Sequence, residues 1–336
     1  FFFKHKTEYA ILSGLVGSEM CIRDRAVMNM DGLHTRYADT NAIYEEIAAS
    51  PREEATAIMQ RIYSAQQKPE LIAKKVEEVK KGGGVAAVSF VPQNAKRMAP
   101  LAVEAGADMI VVQGTVVTAR HSSKSLKGLV FSNMIKDLNV PVLVGNTVSY
   151  EVTKELMQQG IAGVMVGVGP GSVCTSREVL GIGIPQVSAT IECAAARDDF
   201  FKETGLHIPI ITDGGIRTGG DVCKSFAAGA NAVMIGSPFA KTEEAPAKGF
   251  HWGMATWHDS LPRGTRINMG TEYSLHQLLY GPSSRTDGTL NLVGALQICM
   301  GYVGAETIRE MNKARMVYAP AIKTEGKIYQ QAGLGS

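Results

Sequence analysis

Gln159-Gly-Ile-Ala-Gly-Val-Met-Val166, running on into Gly167-Val-Gly-Pro-Gly-Ser-Val-Cys174-Thr-Ser-Arg177, is the stretch on which the fold turns. A glycine closes a helical pattern, a short apolar run rich in β-formers follows, and a glycine-rich turn comes directly after it. The same order recurs in Glu104-Ala-Gly-Ala-Asp-Met-Ile-Val-Val112 and in Ala228-Gly-Ala-Asn-Ala-Val-Met-Ile235. Gly106, Gly160 and Gly229 read as the residues just past helix C-termini, where glycine enters left-handed backbone at little cost. Between these repeats lie strands announced by proline, Val140-Pro-Val-Leu-Val-Gly145 and Ile208-Pro-Ile-Ile-Thr-Asp213. Apolar runs that do not alternate with polar residues are buried on both faces and hence parallel.

Working outward, strands are predicted at Ala26–Met30, Val85–Phe90, Met109–Val112, Val142–Val144, Val164–Val166, Ile208–Thr212 and Ala232–Ile235. Helical patterns separate them at Ala42–Arg61, Glu70–Lys80, Ala95–Ala105, Leu126–Asp137, Glu151–Gln159, Gln186–Glu203 and Gly220–Ala228. Strict βα alternation leaves a (β/α)8 barrel or a doubly wound sheet. The polar and glycine-rich clusters Gly145-Asn146, Gly167 to Cys174, Asp213-Gly-Gly215 and Gly236-Ser237 each follow a strand. Several loops aimed at one end fit a barrel better than a sheet with a single crevice. The fold class is thus α/β, a TIM (β/α)8 barrel. Seven strands are one short of closure, so its first strand and helix are expected to be missing.

The 336 residues carry a formal net charge of +2, with 20% charged and 45% hydrophobic residues. That balance gives no basic surface for nucleic acid or for a membrane. No apolar run reaches the roughly 18 residues of a membrane span, and the N-terminal run has no signal-peptide cleavage pattern. The five cysteines, Cys21, Cys174, Cys193, Cys223 and Cys299, make no CxxC pair and no zinc spacing. Their odd number without a secretory signal points to reduced thiols in a cytoplasmic protein. Cys193, Cys223 and Cys299 sit in helical, alanine-rich surroundings and read as packing residues.

Cys174 differs because it stands in a glycine-rich turn at a strand end. Loop N–H groups there can hold an anion or favour a thiolate, the setting of a nucleophile. Asp213-Gly214-Gly215 and Gly236-Ser237-Pro238 end the next two strands, and together with Ser172 they suggest a phosphate cradle at the late strands of a barrel. Asp213 is suited to accept hydrogen bonds from ribose hydroxyls, since one carboxylate can take two. Gln113 and Asn146 end other strands, where each is equally a ligand contact or a satisfied loop amide. After the last strand, residues 242–289 show little periodicity and read as a flap. It contains His251-Trp-Gly-Met-Ala-Thr256 and Leu261-Pro-Arg-Gly-Thr-Arg266.

These residues carry a resemblance. The cysteine loop followed by Gly181-Ile-Gly-Ile-Pro-Gln186, then Asp213-Gly-Gly215, Met234-Ile-Gly-Ser237, Glu244-Ala-Pro246, Gly253-Met254 and Thr324-Glu-Gly326, resembles the IMP dehydrogenase/GMP reductase family in order and spacing. The likeness extends from about Ala26 to the C-terminus and points to the compact "IMP dehydrogenase-related" branch, which lacks the CBS domain pair. It implies that Cys174 attacks C2 of IMP, that hydride passes to NAD, and that the resulting thioimidate is hydrolysed to XMP in guanine nucleotide synthesis. Ser176 stands where relatives usually carry a threonine that assists hydrolysis. The resemblance assigns phosphate to Ser172, Gly215, Gly236 and Ser237, with His251 in place of the family's tyrosine, and the ribose to Asp213. Gly253, Met254 and Ala255 fall to the purine base, and Gln113, Asn146 and Gly167 to the cofactor. It also implies a potassium ion on carbonyls of Gly169, Gly171 and Cys174, with Glu325 and Gly326 from a neighbouring subunit of a homotetramer or octamer.

Several positions depart from the family pattern. The flap has no Arg-Tyr pair to activate water, which leaves Arg263 or Arg266 as substitutes. Gln113 replaces an aspartate near the nicotinamide. The family's first strand and its nucleotide-touching loop have no counterpart. Residues 1–25 match nothing in the family, and Val16-Gly-Ser-Glu-Met-Cys-Ile-Arg-Asp-Arg25 looks like translated adaptor sequence. The domain reading is therefore a foreign leader at 1–25 and a truncated catalytic barrel at 26–336, whose open edges predict poor folding. An NADPH-dependent GMP reductase and a non-catalytic nucleotide-binding paralogue stay open beside the dehydrogenase. A (β/α)8 enzyme for another phosphorylated substrate rests on fold analogy alone.

Overall fold

The computed structural model describes residues 2–5, 25–118, 130–253 and 255–317. Eight parallel strands close a barrel: β1 Phe2–His5, β2 Arg25–Asn29, β3 Ala87–Phe90, β4 Met109–Gln113, β5 Val142–Thr147, β6 Gly163–Val166, β7 Ile210–Asp213 and β8 Ala232–Ile235. Each strand pairs with the next in sequence, and β1 joins β8 through Phe2 opposite Met234. The seven strands expected from sequence are β2 to β8. The open seam expected beside them is corrected, because Phe2–His5 of the segment read as a foreign leader fills it. Main-chain pairing needs an extended backbone but no particular side chains, which is how those residues can occupy a strand's place. Residues 6–24, where a helix after β1 would fall, lie outside the described residues.

The continuous apolar strands are explained by burial on both faces. Val27, Ala87, Met109, Val111, Leu143, Met165, Ile211 and Met234 form one cluster. Their strand neighbours Met28, Val88, Ile110, Val112, Val144, Val164 and Ile210 belong to another, shared with helices. Alternate residues thus fill the barrel and face the helical layer. That layer contains α1 Asn41–Ala49, α2 Ala55–Tyr63, α3 Pro69–Lys81, α4 Pro92–Glu104, α5 Phe131–Leu138, α6 Tyr150–Gln158, α7 Ser176–Leu180, α8 Gln186–Thr204 and α9 Gly219–Ala227. Gly106, Gly160 and Gly229 follow their helices with φ of 100°, 84° and 104°, as their positions in the repeats require.

The helix expected over Ala42–Arg61 is broken between α1 and α2. Pro51 has no N–H to continue the ladder of α1, and Ser50 before it is extended at ψ 137°. The segment 242–289 includes an antiparallel pair, β9 Phe250–Trp252 with β10 Arg266–Asn268, after the short helix α10 Ser237–Ala240. It also includes α11 Leu275–Tyr280, whose Leu275, Leu278 and Leu279 pack with α9 and with α12 Leu292–Val303. Among the described residues, the last helix is α13 Ile308–Met311. No helix among the described residues is long and apolar enough to cross a membrane.

Candidate active site

Strand parity brings the polar groups to the mouth. Gln113 is two residues on from Val111, and Asp213 two on from Ile211, so both face the interior at the C-terminal ends of β4 and β7. Gln113 Nε2 donates to Asp213 Oδ2 at 2.6 Å and to Asn146 Oδ1 at 2.9 Å. Asn146 Nδ2 donates to the same Asp213 oxygen at 2.9 Å and to the carbonyl of Gly167 at 2.8 Å. Two neutral amides therefore hold one oxygen of Asp213. The Gln113 Oε1 acceptor is buried without a partner among the described residues.

Gly167 lets the β6 and β7 loops meet. Its φ is 142°, and a Cβ there would lie 2.2 Å from the Asp213 carbonyl oxygen. The chain then wraps so that the Cys174 N–H donates to Gly171 O at 3.0 Å. Cys174 is partly exposed, and its Sγ lies 3.2 Å from the hydroxyl of buried Ser176 at the start of α7. As a thiol Cys174 donates to Ser176; as a thiolate it would accept the hydroxyl's proton. Cys193 and Cys223 are different: burial, acting first in both, pushes each thiol up to about 12, which keeps it protonated. They are packing residues, as expected.

Across the opening, Ser172 Oγ and Ser237 Oγ lie 3.2 Å apart, and Ser237 Oγ lies 3.2 Å from His251 Nδ1. These groups line one cavity of about 1350 Å³ with Cys174, Ser176, Asp213, Gly215 and Gly236. Gly253, Ala255, Asn146, Gln113, Gly167, Gly169, Gly171 and Arg263 line it as well. That volume exceeds what one drug-sized ligand commonly fills, so two ligands have room side by side.

The flap segment lies against the nucleophile loop. Thr175 N donates to Arg263 O at 3.0 Å, Thr265 N donates to Val173 O at 3.1 Å, and Cys174 faces Gly264 across the pair. The Arg263 side chain has no hydrogen-bond or ionic partner among the described residues and lines the cavity. Arg266 is a correction. Its guanidinium donates to Ile47 O, to Ser50 Oγ at 2.6 Å and to Ser50 O at 2.9 Å, so it caps the C-terminus of α1 instead of facing the cavity. Positive charge at a helix C-terminus satisfies carbonyls that have no intrahelical donor. Met254, Glu325 and Gly326 lie outside the described residues.

Sequence reasoning missed Asp31 and Arg36, which line the opposite side of the cavity. Asp31 accepts from Val91 N and Asn94 Nδ2, both at 2.6 Å, and from Gln67 Nε2 at 3.1 Å. Burial nonetheless pushes its carboxyl above the ordinary carboxylate range. The available signal was an acidic residue two positions after β2, a strand end for which, as for that of β3, no polar loop was singled out. Among the described residues, no cluster of His, Cys, Asp and Glu could hold a metal ion.

Known proteins are similar to this chain in sequence and in fold. The family model "IMP dehydrogenase / GMP reductase domain" matches residues 39–260. An "uncharacterized oxidoreductase" of Mycolicibacterium smegmatis is 38% identical over 315 residues, covering 91% of this chain and 82% of that protein. Inosine-5'-monophosphate dehydrogenase of Aquifex aeolicus is 39% identical over 249 residues, 69% of this chain and 49% of the longer enzyme. The crystal structure of an IMP dehydrogenase/GMP reductase-like protein from Corynebacterium glutamicum superposes with a TM-score of 0.86 at 32% identity, covering 95% of this chain and 85% of that one.

Proposed function

The chain belongs to the IMP dehydrogenase/GMP reductase family, and we propose that it oxidises IMP to XMP through a covalent bond between Cys174 and purine C2. One observation carries this: a partly exposed thiol beside a buried hydroxyl opens on the same cavity as the Ser172, Ser237 and His251 cluster and the Asp213 carboxylate. Ser172, Ser237 and His251 would take the 5'-phosphate, with the Gly215 and Gly236 turns beside them. Asp213 would accept the ribose hydroxyls, held in place by Gln113 and Asn146.

With the nucleotide so anchored, the Cys174 thiolate adds to C2, and hydride leaves that carbon. Water then adds to the thioimidate, one of its protons passing to the ring nitrogen and the other to solvent; the carbon–sulfur bond breaks, and XMP departs with the thiolate restored. Ser176 would hydrogen-bond through its hydroxyl to the departing sulfur, keeping its own proton. Arg263 contributes fixed positive charge where hydroxide-like oxygen develops. The buried Gln113 acceptor and the volume beyond Cys174 fit a nicotinamide dinucleotide, with Gln113, Asn146 and Gly167 in contact. NAD, when bound, supplies the hydride acceptor. Carbonyls of Gly169, Gly171 and Cys174 suit a monovalent cation such as potassium, since a set of neutral oxygens replaces a hydration shell. Glu325 and Gly326 of a neighbouring subunit would complete that set in a homo-oligomer.

GMP reduction is the second possibility, and a specific feature favours it. No tyrosine is among the described residues lining the cavity, so Arg263 lacks the partner that activates water in dehydrogenases of the family. Reductive deamination with NADPH releases ammonia and needs no such water. Incubating the protein with IMP and NAD, or with GMP and NADPH, separates the two. Reduced nicotinamide accumulates in the first mixture for a dehydrogenase and disappears in the second for a reductase. Cys174→Ala is expected to lower turnover by about 10⁴-fold or more while nucleotide binding persists. Turnover that survives the substitution would overturn both.

A further inference from the structure

We propose that α1 and α2 form a buttress that fixes the flap segment 252–266 over the nucleophile loop, with Tyr63 as its central positioning residue. Three contacts tie the segment to α2. Trp252 Nε1 donates to Tyr63 Oη at 2.9 Å in buried surroundings. The Trp257 ring stacks on Tyr63 with centroids 4.1 Å apart and planes 7° from parallel. Gln60 Nε2 donates to His258 O at 2.8 Å. At the segment's far end, Arg266 is bound to the C-terminus of α1 through Ile47 and Ser50.

Both helices share a core with the flap. Tyr44, Ile47, Met59, Ile62 and Tyr63 pack with Trp252, which is 1% exposed. Arg36, at the cavity wall, places its guanidinium carbon 5.6 Å from the Tyr63 ring centroid, linking the buttress to the mouth. Between its two anchors the flap has a single register against the cysteine loop. A Cβ at Gly264 would lie 2.5 Å from Thr256 Oγ1 and 3.0 Å from Thr256 N, so the flap backbone bridged to Cys174 is packed without slack. The hydrogen bonds from Thr175 and Thr265 across this pair depend on where Trp252 and Trp257 sit. Tyr63 touches both tryptophans and thereby sets the position of Arg263 and the exposure of Cys174.

Hydrogen exchange on the full chain tests this without nucleotide, so its outcome is independent of the reaction proposed above. In Tyr63→Ala, the amides of Thr175 and Thr265 are expected to exchange about tenfold faster through local opening, while those of β3 to β7 keep their protection. Alkylation of Cys174 by iodoacetamide should rise by a similar factor. Tyr63→Phe keeps the ring stack but leaves the buried Trp252 Nε1–H without its acceptor, so it should fall between the unchanged protein and Tyr63→Ala on both measures. If Tyr63→Ala does not fold, Trp257→Leu removes the same stack from the flap's side and is read identically. Unchanged protection at Thr175 and Thr265 in a folded variant overturns the proposal. Uniform acceleration throughout the barrel also overturns it, since Tyr63 would then serve only general stability.

Discussion

Asp31 shows how one buried carboxylate makes stability depend on pH. Three donors hold it, yet burial dominates and raises its folded pKa above the unfolded value. The folded state therefore binds the proton more tightly than the unfolded state. Its contribution to stability is full below the unfolded pKa and is lost as pH rises through the raised value. Asp31→Asn abolishes that slope, but it turns one oxygen into an NH2 group that faces the Val91 N–H or the Asn94 amide. The variant should be less stable than the unchanged protein in acid, with the gap narrowing toward neutrality. Melting temperatures of both proteins from about pH 4 to pH 7 test this, and a gap that widens with pH would refute it. A lone aspartate after a strand gave no hint of this in sequence, because its partners lie 36 to 63 residues away.

Among elements, α8 illustrates what local pattern reveals and what it conceals. Its span, Gln186–Thr204, was legible to within a residue because a proline precedes it and Gly205 follows in left-handed backbone. The task of Arg197 within it was not legible. Arg197 is 5% exposed, and its guanidinium donates to Gly229 O at 2.6 Å and Asn231 Oδ1 at 2.8 Å, pinning the turn that leads into β8. Arg197→Met would leave the buried Gly229 carbonyl without that donor, while Asn231 Oδ1 keeps the Ile210 N–H, and should cost about 1–3 kcal/mol. Denaturant midpoints at constant m-value measure this, and a loss well under 1 kcal/mol would show that water replaces the guanidinium. The strands were readable for a related reason. Burial on both faces writes a continuous apolar run into β4 to β8, and the glycine turns after β6 and β7 mark where loops meet. The α1–α2 break has a local cause, Pro51, that the apolar periodicity of the flanking segments overrode, whereas α11 was missed because it packs by long-range contacts, Leu278 among α9 and α12. Arg266 was placed in the site for the same reason, since Ser50 is 216 positions away.

For the whole molecule, the decisive feature is closure. The sequence showed seven strands and predicted two open edges; the eighth place is taken by Phe2–His5, paired at four positions with β2 and at two with β8. Those pairings contribute through the main chain, which makes the seam separable from the chemistry at Cys174. Removing residues 1–24 exposes unpaired N–H and C=O groups along β2 on one side and β8 on the other. At about 1 kcal/mol per main-chain hydrogen bond, the loss is roughly 4–6 kcal/mol, comparable with the total stability of many domains. An exposed parallel edge also templates pairing with another copy. The shortened chain is therefore expected to elute as a heterogeneous mixture reaching sizes beyond the full chain's own assembly and to unfold over a broad range, whereas the full chain melts in one cooperative step. Size-exclusion chromatography and thermal unfolding at several protein concentrations measure both effects. A shortened chain that elutes at the full chain's size and melts at the full chain's temperature would mean that β2 and β8 meet without a strand between them, and that Phe2–His5 contributes nothing to the barrel.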